Sequence, residues 1–239
     1  MEDGGWTDSA PAWIASQGDQ GDKSRRYILD RAMLDRIDGH RFKRALDVGC
    51  GEGRFCRMLR ERGIDPTGID PTAPLIACAQ ERDPGGDYRL GRAEALDLSD
   101  ASFDLVVAYL SLIDIPDFRA AISEMVRVLE PGGTLLVANL TSFSTAGTEI
   151  GWQYDAAGSK SIFGLDGYMT EGPMETAWAG LRITNWHRPL SAYMQAYLSH
   201  GLTLVHFDEP TPHSPDGAAI MPDYPRAPWF NIMQWQKPA

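Results

Sequence analysis

The stretch Arg44-Ala45-Leu46-Asp47-Val48-Gly49-Cys50-Gly51-Glu52-Gly53-Arg54-Phe55 decides the fold of this chain. Its apolar run, Ala45-Leu46-Asp47-Val48, is entered from Arg41, Lys43 and Arg44 and stopped by glycine, so it reads as a buried strand. Glycines at 49, 51 and 53 follow. Where a chain turns sharply and lets a ligand touch its backbone, a side chain is an obstacle and glycine is the permissive residue. Phe55, Met58 and Leu59 then recur at helical spacing, and a helix starting there aims unpaired N–H groups back at the turn. The whole reads as a nucleotide-cofactor site.

The spacing separates two kinds of cofactor. A dinucleotide fingerprint has G-x-G-x-x-G with pyrophosphate on the helix N-terminus. Here the pattern is D-x-G-x-G-x-G, with Asp47 two residues before the first glycine. A carboxylate there repels phosphate and welcomes the ammonium group of an amino-acid-bearing cofactor, which favours S-adenosylmethionine over NAD. A second strand over residues 65–69 ends at Asp70, 21 residues after Gly49. An acid at that place is positioned to accept from two ribose hydroxyls and would repel a ribose 2′-phosphate, although it also suits a helix cap. Pro71 opens the next helix, where a missing N–H costs nothing.

Further strands are read at residues 88–90, 102–109 and 134–139, with helices between them. Residues 102–109 are nearly continuous in apolar side chains, as suits a central parallel strand covered on both faces. Strict alternation of strand and helix implies a parallel, doubly wound α/β sheet. Tyr109 and Ser111 fall in the crevice at its carboxyl edge, where open α/β folds bind ligands.

Residues 46–53 resemble the first motif of class I S-adenosylmethionine-dependent methyltransferases. Gly91-Arg92-Ala93-Glu94-Ala95-Leu96 is similar to the family segment that borders adenine, and Pro131-Gly132-Gly133 with the strand after it to the last family motif. The type is that of bacterial small-molecule methyltransferases such as the ubiquinone and menaquinone enzymes. The resemblance implies a Rossmann-like, doubly wound, seven-stranded sheet, mostly parallel, whose antiparallel last strand at residues 229–236 slots beside the fifth, with residues 202–207 as the sixth. It implies one methyltransferase domain over residues 1–239, with residues 1–40 a tail and helix lying over the cofactor and residues 141–186 an inserted substrate lid.

In that frame the cofactor site comprises Arg26, Asp47, Gly49, Cys50, Gly51, Asp70, Pro71, Ala93, Glu94 and Tyr109, Arg26 holding a carboxylate bidentately. Trp13 and Tyr27 would wall the substrate pocket. One position departs from the family: Arg92 stands where an Asp or Asn commonly takes the adenine amino hydrogens, and arginine has no acceptor. Adenine must then rely on the backbone of Ala93, on Glu94 or on water.

The formal net charge of −11 sets the overall field against nucleic acid and anionic membranes, so a small-molecule substrate is expected. Three cysteines without paired metal spacing fit a reducing cytosol, and no signal peptide or membrane span is read. Asp114 and Asp117 are spaced to begin a helix rather than to bind a metal, and no metal site is expected. Residues 1–10 are small, polar and acidic and read as a disordered lead-in, with order beginning near Trp13; a helix spans residues 24–37.

Residues 141–186 lack strong periodicity but carry many aromatics, which suits a lid with short strands near residues 170 and 181–186. Trp152 and Trp186 would face a flat, ring-containing substrate beside Ser111, and the reaction would methylate an oxygen or nitrogen of it. The competing reading makes the same aromatics an oligomer interface, as in a homodimer, or the partner surface of a non-catalytic adenosyl-cofactor-binding protein. His187, between lid and helix, is the preferred general base and substrate neighbour, with His213 second; either also suits a structural role.

Overall fold

The computed structural model describes residues 3–147 and 150–239. It opens with α1 (Trp6–Gln17), a π-helical turn (Arg25–Leu29) and its continuation α2 (Asp30–Asp35). Next come β1 (Arg44–Val48), α3 (Arg54–Arg60), β2 (Asp65–Asp70), α4 (Ala73–Arg82), β3 (Asp87–Leu90), β4 (Phe103–Tyr109), α5 (Phe118–Val128) and β5 (Leu129–Leu140). The inserted segment holds α6 (Ser142–Ala146) and two hairpins, β6 (Gly151–Tyr154) with β7 (Lys160–Gly164) and β8 (Gly172–Trp178) with β9 (Leu181–His187). The chain ends with α7 (Leu190–Ser199), β10 (Thr203–Asp208), α8 (Pro215–Ile220), a 3₁₀ turn (Tyr224–Arg226) and β11 (Phe230–Gln236).

Seven strands form one sheet in the order β10-β11-β5-β4-β1-β2-β3. The pairs from β5 to β3 are parallel and β11 runs antiparallel between β5 and β10, as the family resemblance implies. Side chains of a strand alternate between faces, and β4 shows the result. Val106 and Ala108 join the core under α5 and α7, while Leu105, Val107 and Tyr109 join the one under α2 and α3. The amphipathic α5 buries Phe118, Ala121, Ile122, Met125 and Val126 at helical spacing, and Asp117 caps it by accepting from the Ala120 N–H at 3.0 Å.

The N-terminus differs from the expected disordered lead-in. Residues 1–2 lie outside the described residues, but α1 begins at Trp6, and the Asp3 carboxylate takes the N–H groups of Gly5 (3.0 Å) and Thr7 (2.9 Å). The Gly4 carbonyl accepts from Thr184 N–H at 2.8 Å, and the Ser9 hydroxyl donates to the Arg182 carbonyl at 3.1 Å. Those tertiary bonds to β9 order a segment whose composition alone carries no helical signal. Residues 148–149 of the insertion also lie outside the described residues. Where strands near residue 170 and over 181–186 are expected, the insertion has β8 and β9, and in addition the unexpected β6–β7 hairpin. No helix of the described residues is long and apolar enough to cross a membrane.

Candidate active site

The glycine turn closes because Ile69, at the end of β2, accepts from both Gly49 N–H (2.8 Å) and Cys50 N–H (3.1 Å). Gly49 has φ +76°, and a Cβ there would lie 2.4 Å from the Ser111 Cβ. Ser111 is itself fixed by donating its hydroxyl to the Val48 carbonyl at 2.6 Å. No side chain larger than hydrogen fits that position. Asp70 pins the turn from the other side, accepting from Gly51 N–H (3.0 Å) and Thr72 N–H (2.8 Å). Burial still raises its carboxyl above the ordinary range, against those two bonds.

Asp47 is buried with its Oδ1 unpartnered, while Oδ2 takes the Cys56 thiol at 3.5 Å. Burial first, then the neighbouring charges of Asp70 and Glu52, push its carboxyl up to about 7. A buried, orphaned carboxylate oxygen beside a glycine turn calls for a donor from outside the chain. Glu52, inside the turn and also buried, accepts from the Trp13 indole N–H at 3.2 Å and lies 3.8 Å from Arg82.

A cleft of about 180 Å³ opens at the carboxyl edge of the sheet. Gly49, Gly51, Asp70, Pro71, Ala93, Glu94, Tyr109, Ser111, Trp13 and Trp186 all line it. Asp47 and Cys50 line a smaller recess of about 40 Å³ under the turn, with Gln17, Arg25 and Glu52. The Arg92 guanidinium holds Glu94 at 2.9 Å. The β4 exit is strained: Leu110, a non-glycine cleft residue, sits at φ +57° and is anchored by its N–H to the Ala138 carbonyl at 2.9 Å.

Four of the residues named from sequence lie elsewhere. Arg26 is exposed over the Tyr27 ring, and Tyr27 packs against the 213–217 loop, its carbonyl accepting from His213 N–H. Arg25 reaches the cleft in their place, its guanidinium over Trp13 (4.7 Å) and Tyr109 (5.4 Å) and paired with Asp22 at 2.6 Å. The π-helical turn is the cause, since its wider winding rotates the register that α-helical spacing predicts. Trp152 sits on the outer hairpin, edge-on to Phe163 and beneath Arg226. His187 is buried outside the cleft lining, with Nε2 donating to the Tyr168 carbonyl (2.9 Å) and Nδ1 lying 2.6 Å from the Thr145 hydroxyl. Both ring nitrogens are engaged, which is the arrangement of a structural histidine.

Further contributors escaped sequence reasoning or were given another role by it. Trp6 and Thr184 wall the cleft because α1 and β9 roof it together. Arg188, buried under the β4–α5 loop, donates to the carbonyls of Leu112 (2.9 Å), Ile115 (2.5 Å) and Pro116 (3.0 Å) and so shapes the cleft floor. Asp114 takes a hydrogen bond from the Asn185 side-chain amide near the Trp6 indole, and burial pushes its carboxyl up to about 8, although the cleft leaves it part of its surface.

The chain is similar to known proteins. A family model described as a methyltransferase domain matches residues 46–137, which carry the glycine turn, Asp70 and the Ala93–Glu94 segment. The malonyl-[acyl-carrier protein] O-methyltransferase of Salmonella typhimurium is 30% identical over 199 residues, covering 80% of this chain and 77% of that protein. The chain belongs to the class I S-adenosylmethionine-dependent methyltransferases. The demethylmenaquinone methyltransferase of Beutenbergia cavernae is 33% identical over 148 residues, 56% of this chain and 61% of that protein. A crystallised S-adenosylmethionine-dependent methyltransferase of Mesorhizobium loti superposes with a TM-score of 0.77 at 26% identity, covering 87% of this chain and 96% of that one.

The methyltransferase cofactor, S-adenosylmethionine, fits the residues present. Its ammonium group matches the orphaned Asp47 oxygen, its neutral ribose matches an acid that repels phosphate, and the side-chain-free face of the turn admits it closely. The methyltransferase also keeps Cys50, Cys56 and Cys78 as free thiols.

Proposed function

We propose that this methyltransferase holds its cofactor with Asp47, Gly49, Gly51, Asp70, Ala93 and Glu94, and methylates an oxygen or nitrogen of a small, ring-bearing metabolite that is neutral or cationic. When bound, S-adenosylmethionine supplies an activated sulfonium methyl. The chain's part is to bind, orient and exclude water. Asp47 offers its unpartnered oxygen to the ammonium group, and Asp70 keeps acceptor capacity for ribose hydroxyls beyond the two backbone bonds it already accepts. Adenine, lacking an acidic neighbour at Arg92, is left with the Ala93 backbone and Glu94.

The acceptor class rests on one observation, the chemistry of the cleft wall away from the turn. Trp6 and Trp186 give two aromatic surfaces, Ile115 and Pro116 an apolar one, and Asp3 and Asp114 two carboxyls. The cations among the described lining residues are Arg25 and Arg92, and each already holds an acid, Asp22 and Glu94. Ring surfaces pack on tryptophan, and a cation or hydroxyl donor suits a carboxyl-bearing wall.

A second reading comes from the Salmonella relative, whose named substrate is a malonyl group on a carrier protein. A malonyl carboxylate would meet the Asp3 carboxylate and find both lining guanidiniums, Arg25 and Arg92, already paired with acids, which disfavours it here. Incubation of the enzyme with methyl-labelled S-adenosylmethionine and a metabolite extract tests the proposal. We expect label in a neutral or basic small molecule as an O- or N-methyl group. Label confined to carboxyl esters or to a carrier protein would overturn it.

A further inference from the structure

Asp114 follows β4 by five residues and is gripped by three elements at once. Its N–H donates to the Ser111 carbonyl at 2.9 Å, so the backbone of the β4–α5 loop places it. Its Oδ1 accepts from the Asn185 side-chain amide of β9 at 2.5 Å, and the Trp6 indole N–H of α1 lies near enough to the carboxyl to favour its anion. Asn185 is buried, and the lid strand that carries it is locked to the same loop by Trp186 N–H donating to the Ile113 carbonyl at 2.7 Å. The carboxyl therefore has a fixed position, two donors that favour its ionised form, and surface facing the cleft.

Nothing at the glycine turn uses it. We propose that Asp114 is the proton acceptor of the methyl-transfer reaction, taking the proton from the O–H or N–H of the acceptor; this rests on the acceptor class proposed above. The O–H or N–H bond breaks with its electron pair left on the acceptor atom, that atom bonds to the methyl carbon as the donor's carbon–sulfur bond would break with its pair left on sulfur, and the proton bonds to an Asp114 carboxylate oxygen. The resulting neutral acid stays held by Asn185 and returns its proton to water through the open side of the cleft.

The charge balance around the carboxyl suits the task. Burial and Asp70, from the end of β2, favour the neutral acid; Arg25, from the π turn, together with the Asn185 and Trp6 donors, favours the anion. Asp3, Glu94 and Arg92 complete the charged lining of the cleft. The outcome is a group that changes charge near working pH, as a general base requires. The ionised form is the active one, so turnover rises as pH passes upward through about 8.

Two measurements test this. The Trp6 indole N–H resonance, identified by its loss in Trp6→Phe, is expected to shift between pH 6.5 and 9 in the wild type and to stay still in Asp114→Asn. Asn185→Ser removes a donor that favours the anion, and its indole midpoint is expected at higher pH. An indole that does not move, or moves as far in Asp114→Asn, overturns the assignment whatever the acceptor is. With the acceptor fraction from the labelled-methyl assay, Asp114→Asn is expected to lose about 100-fold in turnover and the rise with pH. Its S-adenosylhomocysteine affinity, by calorimetry, stays within about 2-fold of wild type, a change of under 0.5 kcal/mol. Wild-type turnover with the same pH profile in Asp114→Asn overturns the assignment and leaves the acceptor class standing. Absence of labelled O- or N-methyl product in the wild type removes the acceptor class and leaves the indole titration to decide on Asp114.

Discussion

The donor half of the cleft and its roof are built in opposite ways. At the glycine turn, backbone atoms carry the architecture, with Gly49, Cys50, Gly51 and Thr72 all bonded through N–H groups to Ile69 or Asp70. In the insertion, two-stranded hairpins carry loosely packed side chains, and Ile162 and Met169 are 63% and 71% exposed. A site made of backbone tolerates few sequences, whereas a site made of side chains on hairpins tolerates many. The relatives this chain resembles carry different substrates in their names, a malonyl-[acyl-carrier protein] and demethylmenaquinone.

The sharpest way to break that comparison is to put the same methyl group in each half. Gly49→Ala combines a strained φ with a 2.4 Å clash, and we expect roughly 3 kcal/mol lost, read by calorimetry as about 100-fold weaker S-adenosylhomocysteine binding. Gly158→Ala, at φ +80° with nothing within 4 Å, should cost only about 1 kcal/mol of stability and leave that affinity unchanged. Equal effects at both positions would erase the distinction.

Arg188 joins the halves, and Arg188→Met strips three loop carbonyls of their donor. A loss of about 2–3 kcal/mol in urea unfolding is expected. Stability unchanged by Arg188→Met would show that the loop holds its shape unaided.

Asp47 ties the stability of the turn to pH. Its folded-state pKa of about 7 lies above the unfolded value of 3.8, so the native state binds the extra proton between them. The free enzyme should lose stability as pH rises from about 4 through 7, seen as a falling melting temperature. Asp47→Asn should flatten that slope, and saturating S-adenosylhomocysteine, whose ammonium group supplies the missing countercharge, should reduce it. Smallest of all, Trp152→Ala on the outer hairpin should alter cofactor affinity by less than about 2-fold.

The same contrast governs what could be read from the chain. The seven-stranded order, the turn and Asp70 were legible because glycine placement and strand alternation are local constraints. The helix at Trp6 was not, because Gly4 and Ser9 are ordered by bonds to β9, the Ser9 bond reaching 173 residues along the chain. Arg25 was missed by one position, since a π turn leaves no periodic trace in a five-residue window. His187 drew attention by chemistry, yet its partners Thr145, on α6, and Tyr168, in the β7–β8 connection, come from segments no spacing rule connects. Asp114 looked like a helix opener until Asn185 and Trp6 closed on it from distant segments.

The bond between the Gly4 carbonyl and Thr184 has a practical side. It makes the first few residues a wall of the reaction chamber, with Asp3 facing inside. An affinity handle or protease scar fused ahead of residue 3 therefore sits at the doorway of the enzyme and competes with the molecules meant to enter. Fusing the handle after Ala239, at the far end of the closing strand β11, keeps the doorway clear, and assays of activity belong on protein prepared that way.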